Sequence, residues 1–213
     1  TAGVEQDNFQ TTPAISTTTV RSGVYAGRTS YSTNRGGFSF TYLSTGTQGS
    51  YYIRAYFRYA NDPTALKQII FLRSPGAIIK LSIQMNVGGS LELWNDEDSV
   101  QIGSDSSALS ANTWYRLEIN YNTTTLASTT VEAKIDGTAF ASGTIDLTAS
   151  PFEVFFGQLG SNDTADYFWD DIAINNSSGS FQNSYQGAGS IIHLRPNGNG
   201  DNSGWLGSDL NST

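Results

Sequence analysis

The sequence predicts an all-β chain folded as a two-sheet sandwich of antiparallel strands. Three observations lead there. Apolar and polar residues alternate with a period of two along most of the chain, as in strands with one buried face. Roughly a dozen such stretches are separated by short turns rich in Gly, Asn and Ser. No stretch sustains a helical period with capping residues at its ends.

In chain order, FSFTYL (38–43) is the first clear strand. SYYIRAYFRYA (50–60) sets Tyr51, Ile53, Ala55, Phe57 and Tyr59 on one face and Tyr52, Arg54, Tyr56 and Arg58 on the other. DPTALKQ (62–68) has room for one turn of helix, and KQIIFLR (67–73) is the next strand. AIIKLSIQM (77–85) sends Ile79, Leu81, Ile83 and Met85 inward and Ile78, Lys80, Ser82 and Gln84 outward. Gly88-Gly89 then turns the chain into SLELW (90–94), and SVQIG (99–103) follows. WYRLEINYN (114–122) points Tyr115, Leu117, Ile119 and Tyr121 inward and Trp114, Arg116, Glu118 and Asn120 outward. TTVEAKI (129–135) meets the hairpin dipeptide Asp136-Gly137. FEVFFG (152–157), DYFWDDIAI (166–174) and SIIHL (190–194) complete the set. Strict alternation in DYFWDDIAI puts Asp170 on the face of Ile172 and Ile174 and Asp171 on the opposite one. The sandwich is expected over 1–177, with 178–213 a long connection, a last strand and a linker towards a further domain.

A chain of 213 residues suits one such domain and is long enough to bury a core without staples. Hydrophobic residues make up 38% and charged residues only 14%, but aromatics reach 12%, which disordered chains lack. The formal charge of −8 argues against nucleic-acid partners and against anionic membrane surfaces. Cysteine is absent, which excludes disulfides and thiol chemistry. No apolar run approaches the roughly 18 residues of a membrane span. With Thr at position 1 the chain reads as processed or excerpted, and chance in a chain rich in Asn, Ser and Thr accounts for the sequons at Asn122, Asn162, Asn175, Asn176 and Asn211.

The succession TTVRSGVYAGR, YYIRAYFRYA, SLELWND, VQIGSDSSALSANTWYRLEINYN, VEAKIDGTAFASGTI, VFFGQLGS and DYFWDDIAIN resembles the concanavalin A-like (laminin-G-like) jelly rolls over about residues 18–175. The resemblance implies a two-sheet antiparallel jelly roll and is nearly silent on activity. The closing DDIAINNSSGSFQNSYQGAGSIIHLRPNGNGDNSGW is similar to a tail found on such jelly rolls in virion proteins of tailed bacteriophages. There a Leu-Arg-Pro-Asn run leads through a Gly/Asn/Asp loop to a Trp, here Trp205, and to a second β domain. That resemblance implies a structural display module of a phage head, tail fibre or capsid decoration protein. Its place would be the virion surface, its partners other virion proteins or copies of itself, and it could grip host glycans. The alternative is an extracellular, calcium-stabilised carbohydrate-binding module of a bacterial surface protein or hydrolase.

Candidate chemistry follows from residue type. Hydrolases of this fold carry Glu-x-Asp-x-x-Glu on one strand, where alternation aims carboxylates into a common site, and no such triplet occurs here. His193 is the sole histidine, with no nucleophile elbow in the chain for it to serve. The expectation is a chain without catalytic residues, a non-enzyme. In carbohydrate-binding relatives an N-terminal acid and an Asp of the last strand share a structural Ca²⁺; the resemblance points to Glu5, Asp7, Asp170 and Asp171 as its oxygen ligands. Asn197, Asn199 and Asp201 have the spacing of a calcium loop but one charge among them, and read as a hinge. Exposed aromatic rings stack on the C–H faces of sugars, which nominates Trp94, Trp114, Tyr52 and Tyr56 as glycan contacts.

Overall fold

The alternating stretches do form strands, and they divide between two sheets. In the computed structural model the described residues are 13–29, 36–43, 47–159, 165–178 and 180–190. In chain order the strands are β1 (Pro13–Ser16), β2 (Ala26–Thr29), β3 (Gly36–Thr41), β4 (Ser50–Tyr59), β5 (Lys67–Ser74), β6 (Ile78–Met85) and β7 (Leu91–Asn95). They continue with β8 (Val100–Ile102), β9 (Tyr115–Asn122), β10 (Thr129–Ile135), β11 (Thr138–Ile145), β12 (Glu153–Leu159) and β13 (Tyr167–Asn176). A seven-stranded sheet has the order β1-β2-β13-β4-β9-β10-β11, and a six-stranded sheet the order β3-β12-β5-β6-β7-β8. Every pairing is antiparallel.

The inner faces carry the apolar set that the period-2 pattern selects. Tyr51, Ile53, Ala55, Phe57 and Tyr59 of β4 meet Leu81, Ile83 and Met85 of β6 and Leu91 and Leu93 of β7 in one buried cluster. Trp169 joins the layers: its ring lies 4.8 Å from that of Phe57 in its own sheet and 5.4 Å from Phe156 in the other. Both predicted hairpins are present. Gly89 donates to the carbonyl of Asn86 between β6 and β7, and Asp136 and Gly137 turn β10 into β11 with φ of 51° and 89°.

The helical turn expected over 62–68 does not form. Pro63 pushes Asp62 towards extended backbone, and Lys67 and Gln68 are taken up by the ladder with Met85 and Gln84. The sequence pattern also passed over β1 and β2, four-residue strands too short to show a period. The regular alternation drawn through DYFWDDIAI is broken as well. A bulge lies between Asp170 and Ala173, with Asp171 at φ 47°, so Asp170 stands opposite Tyr56 on the outer face while Ile174 pairs with inward Ile53. Glu5, Asp7, His193, Asn197, Asn199, Asp201, Trp205 and the SIIHL strand (190–194), apart from Ser190, lie outside the described residues.

Candidate functional site

Each sheet has an outer face, and the two differ in what lies over them. On the seven-stranded sheet, register places Arg54 opposite Glu118 and Tyr56 opposite Arg116. Residues 185–189 run across these side chains. The Tyr185 hydroxyl donates to Glu132 at 2.7 Å, Gly187 donates its N–H to Glu118 at 3.1 Å, and Arg54 donates to the Gly187 carbonyl at 3.2 Å. Gly189 donates to the Tyr56 hydroxyl at 3.3 Å, and Arg21 donates to the Gly189 carbonyl at 2.9 Å. Arg54 and Glu118 are thereby buried on what would otherwise be a wet face, at 6% and 1% exposure.

On the six-stranded sheet the outer positions are amides, carboxylates, hydroxyls and rings, with the two cations Arg73 and Lys80 among them. Trp94 of β7 stands between Ser82 of β6 and Gln101 of β8 in the ladder. Its indole N–H donates to Glu92, two residues back on the same face, at 2.8 Å. Asn86 donates to Glu92 and to Asp105, each at 3.3 Å, and Gln101 donates to Asp105 at 2.7 Å. This ring of bonds fixes the half-buried indole. Towards the sheet centre, Gln68 donates to Asp96 at 2.6 Å and Gln84 donates to the Ser82 hydroxyl at 3.2 Å. The second oxygen of Asp96 is buried without a hydrogen-bond partner. Burial raises the Asp96 carboxyl above the usual carboxylate range, against the lowering effect of Ser82 and Gln68. Further along, the rings of Phe71 and Phe155 stack at 4.4 Å with the Arg73 guanidinium near both.

The glycan candidates named from sequence are therefore separated. Trp94 lies on the six-stranded face. Tyr52 and Tyr56 lie under the 185–189 crossing, where Tyr185 packs edge-on against Tyr52 at 5.2 Å and the Arg21 guanidinium sits 3.3 Å over the Tyr56 ring. Trp114 is half-buried just before β9. Of the calcium candidates, Asp170 accepts the backbone N–H groups of Arg21 and Ser22, and Asp171 accepts from the Arg21 guanidinium and the Ser22 hydroxyl. Among the described residues no group of three or more His, Cys, Asp or Glu is placed to hold a metal. Sequence reasoning missed Gln68, Ser82, Gln84 and Asp96 as a group. The alternation in AIIKLSIQM put Ser82 and Gln84 on the outer face, but only the register brings Gln68 and Asp96 to them.

A recess of about 290 Å³ lies between the end of β13 and Ser178, Phe181 and Gln182, with Tyr42, Tyr51 and Asn175 in its wall and Phe181 89% exposed. None of the sequence candidates lines it.

No protein-family model matches the sequence, and no curated protein is similar to it. Solved structures do match. A cellulose induced protein, Cip1, superposes with a TM-score of 0.64 at 16% identity, over 84% of this chain and 88% of that one. The fold is the jelly-roll β-sandwich. An endo-β-1,4-glucuronan lyase from Trichoderma reesei matches at 0.56 and 15% identity, over 81% of this chain and 90% of that one. A botulinum neurotoxin type C structure whose cell entry depends on two ganglioside molecules matches at 0.54 and 13% identity, over 76% and 41%.

These neighbours correct one expectation. The missing strand-borne carboxylate triplet predicts a non-enzyme, but a lyase carries this fold across most of its length. Elimination breaks a glycosidic bond with no water to activate, so the absence of a hydrolase's paired carboxylates does not exclude catalysis on this scaffold.

Proposed function

We propose that this chain binds carbohydrate, with a glycan laid on the outer face of the six-stranded sheet and stacked on Trp94. The observation that carries this reading is the fixed indole: Trp94 is half-buried and held through its N–H by Glu92 among planar amides and carboxylates. Such groups complement sugar hydroxyls in pairs, and a ring held in place loses little freedom when a sugar stacks on it. The neighbours support the reading by name, since one was induced by cellulose, one acts on glucuronan and one engages gangliosides. The virion display role implied by the closing tail has less behind it. From residue 191 onward that tail lies outside the described residues, and none of the three solved structures is described as a virion component.

Calorimetric titration of the chain with a panel of oligosaccharides tests the proposal. Trp94→Ala is expected to weaken binding at least about tenfold, roughly 1.4 kcal/mol, with the melting transition kept. Binding that survives Trp94→Ala but is lost on replacing Trp114 would move the site off this face.

A further inference from the structure

The charge of the six-stranded face discriminates between classes of sugar; this inference rests on the carbohydrate-binding reading above. Among the described residues the cations of that face are Arg73 and Lys80, and each already has its own carboxylate. Arg73 grips both oxygens of Glu153 at 3.0 and 2.7 Å. Lys80 pairs with Glu97 at 2.7 Å, donates to Thr148 at 2.7 Å, and its side chain is 3% exposed. Glu92, Asp96 and Asp105 stand on the same face or at its edge, held by the neutral donors of Trp94, Asn86, Gln68 and Gln101.

We propose that the ligand is a neutral glycan whose hydroxyl groups donate to Glu92, Asp96 and Asp105, and that uronic and sialic acid sugars are rejected. A hydroxyl donating to a carboxylate makes a charge-assisted bond. A sugar carboxylate brought to the same place meets like charge, and the described cations of this face, Arg73 and Lys80, are already paired with Glu153 and Glu97. Asp96 is the specificity residue in this arrangement. Gln68 holds one of its oxygens and the Ser82 hydroxyl also bears on the carboxyl, while the second oxygen is buried with no partner at full hydrogen-bond geometry. A ligand hydroxyl reaching it supplies the missing bond.

The same residue gives binding a pH dependence with a definite sign. The charged groups around Asp96 are the Lys80–Glu97 pair from β6 and its own turn, the Arg73–Glu153 pair from β5 and β12, Glu92 from β7, and Asp98, which accepts from Asn95. A hydroxyl donor favours the ionised carboxyl, so the complex titrates lower than the free chain. Affinity for a neutral glycan then rises as pH increases through the free chain's titration.

The test is a titration of the intact chain, at physiological salt, with two sets of oligosaccharides. One set is neutral (gluco-, xylo- and manno-oligosaccharides); the other is acidic (oligoglucuronate, oligoalginate and a sialyl-oligosaccharide). A neutral series is expected to bind, with the acidic set at least about tenfold weaker. Asp96→Asn should flatten the pH profile of neutral binding, and Glu92→Gln should narrow the gap between the sets even where Asp96→Asn alters folding. An acidic sugar that binds as tightly as the neutral ones, and is lost with Trp94→Ala, overturns the neutral class and leaves the carbohydrate reading standing. Failure of every sugar to bind removes both. An unchanged pH profile in a folded Asp96→Asn chain removes Asp96 from the site.

Discussion

On the seven-stranded sheet Arg54 and Glu118 face each other across β4 and β9, and both are buried. On the six-stranded sheet Trp94 and Gln101 face each other across β7 and β8 and remain half-buried. Both pairs sit on outer faces. The difference is the chain itself: residues 185–189 cross the first pair and give its charged groups backbone partners, whereas the second pair is tied only to its own side-chain neighbours. A buried charge persists only when its hydrogen bonds are filled, so the crossing and the charges beneath it require one another. An amide and an indole face water at little cost, and such a face can exchange water for a ligand.

The strongest way to break this contrast is to remove Arg54 from the covered face. Arg54 donates to the carbonyl of Asp171 at 3.3 and 3.1 Å as well as to Gly187. Arg54→Ala leaves those two carbonyls short of donors, while Glu118 keeps the Arg116 guanidinium and the Gly187 N–H, and about 3 kcal/mol of stability should be lost. Denaturant unfolding reads the loss. Hydrogen exchange should quicken over 185–189 before the core strands respond. A loss below about 1 kcal/mol would mean that the crossing does not depend on the charges under it.

A smaller perturbation sharpens the comparison by removing one bond. Tyr185→Phe keeps the ring on Tyr52 and under the Lys134 ammonium, 3.7 Å from the ring centre, but loses the bond to Glu132, at about 1 kcal/mol. Burial pushes the Glu132 carboxyl up, but the Tyr185 hydroxyl and Lys134 outweigh it and hold the group below its ordinary value. Its stabilising share is therefore present above the unfolded-state titration and lost as pH falls through the folded one. Tyr185→Phe should show a shallower loss of stability on acidification than the parent chain, as read by melting temperature against pH.

How much of this the sequence disclosed depends on whether a feature is local. Period-2 alternation placed Tyr51 to Tyr59 and Leu81 to Met85 on the core side, and Gly88-Gly89 and Asp136-Gly137 announced their hairpins. The bulge at Asp171 was hidden, because a positive φ at an Asp leaves no mark that alternation can read. The crossing at 185–189 was hidden for another reason. Its sequence has no period, and it is held by Arg54, Glu118 and Glu132, all more than 50 residues away along the chain. The unpaired look of those outward charges was the available signal. The Gln68–Asp96 contact needed the register of two successive hairpin pairings, β5 with β6 and β6 with β7, with a bulge in the first.

The smallest expected effect concerns the open face and has the opposite sign to the others. Burial raises the Asp96 carboxyl in the folded chain, so between its unfolded and folded titrations the native state binds the extra proton. Stability from this group is thus fully present below the unfolded value and declines as pH rises through the folded one. Asp96→Asn keeps an oxygen for the Gln68 amide and removes the ionisation. The variant should melt about 1–2 °C higher than the parent at neutral pH, the two curves converging on acidification. A variant that melts lower at neutral pH would show that the ionised carboxylate already has its donor in the free chain. The six-stranded face would then be as fully satisfied as the covered one, with no acceptor left for a sugar to fill.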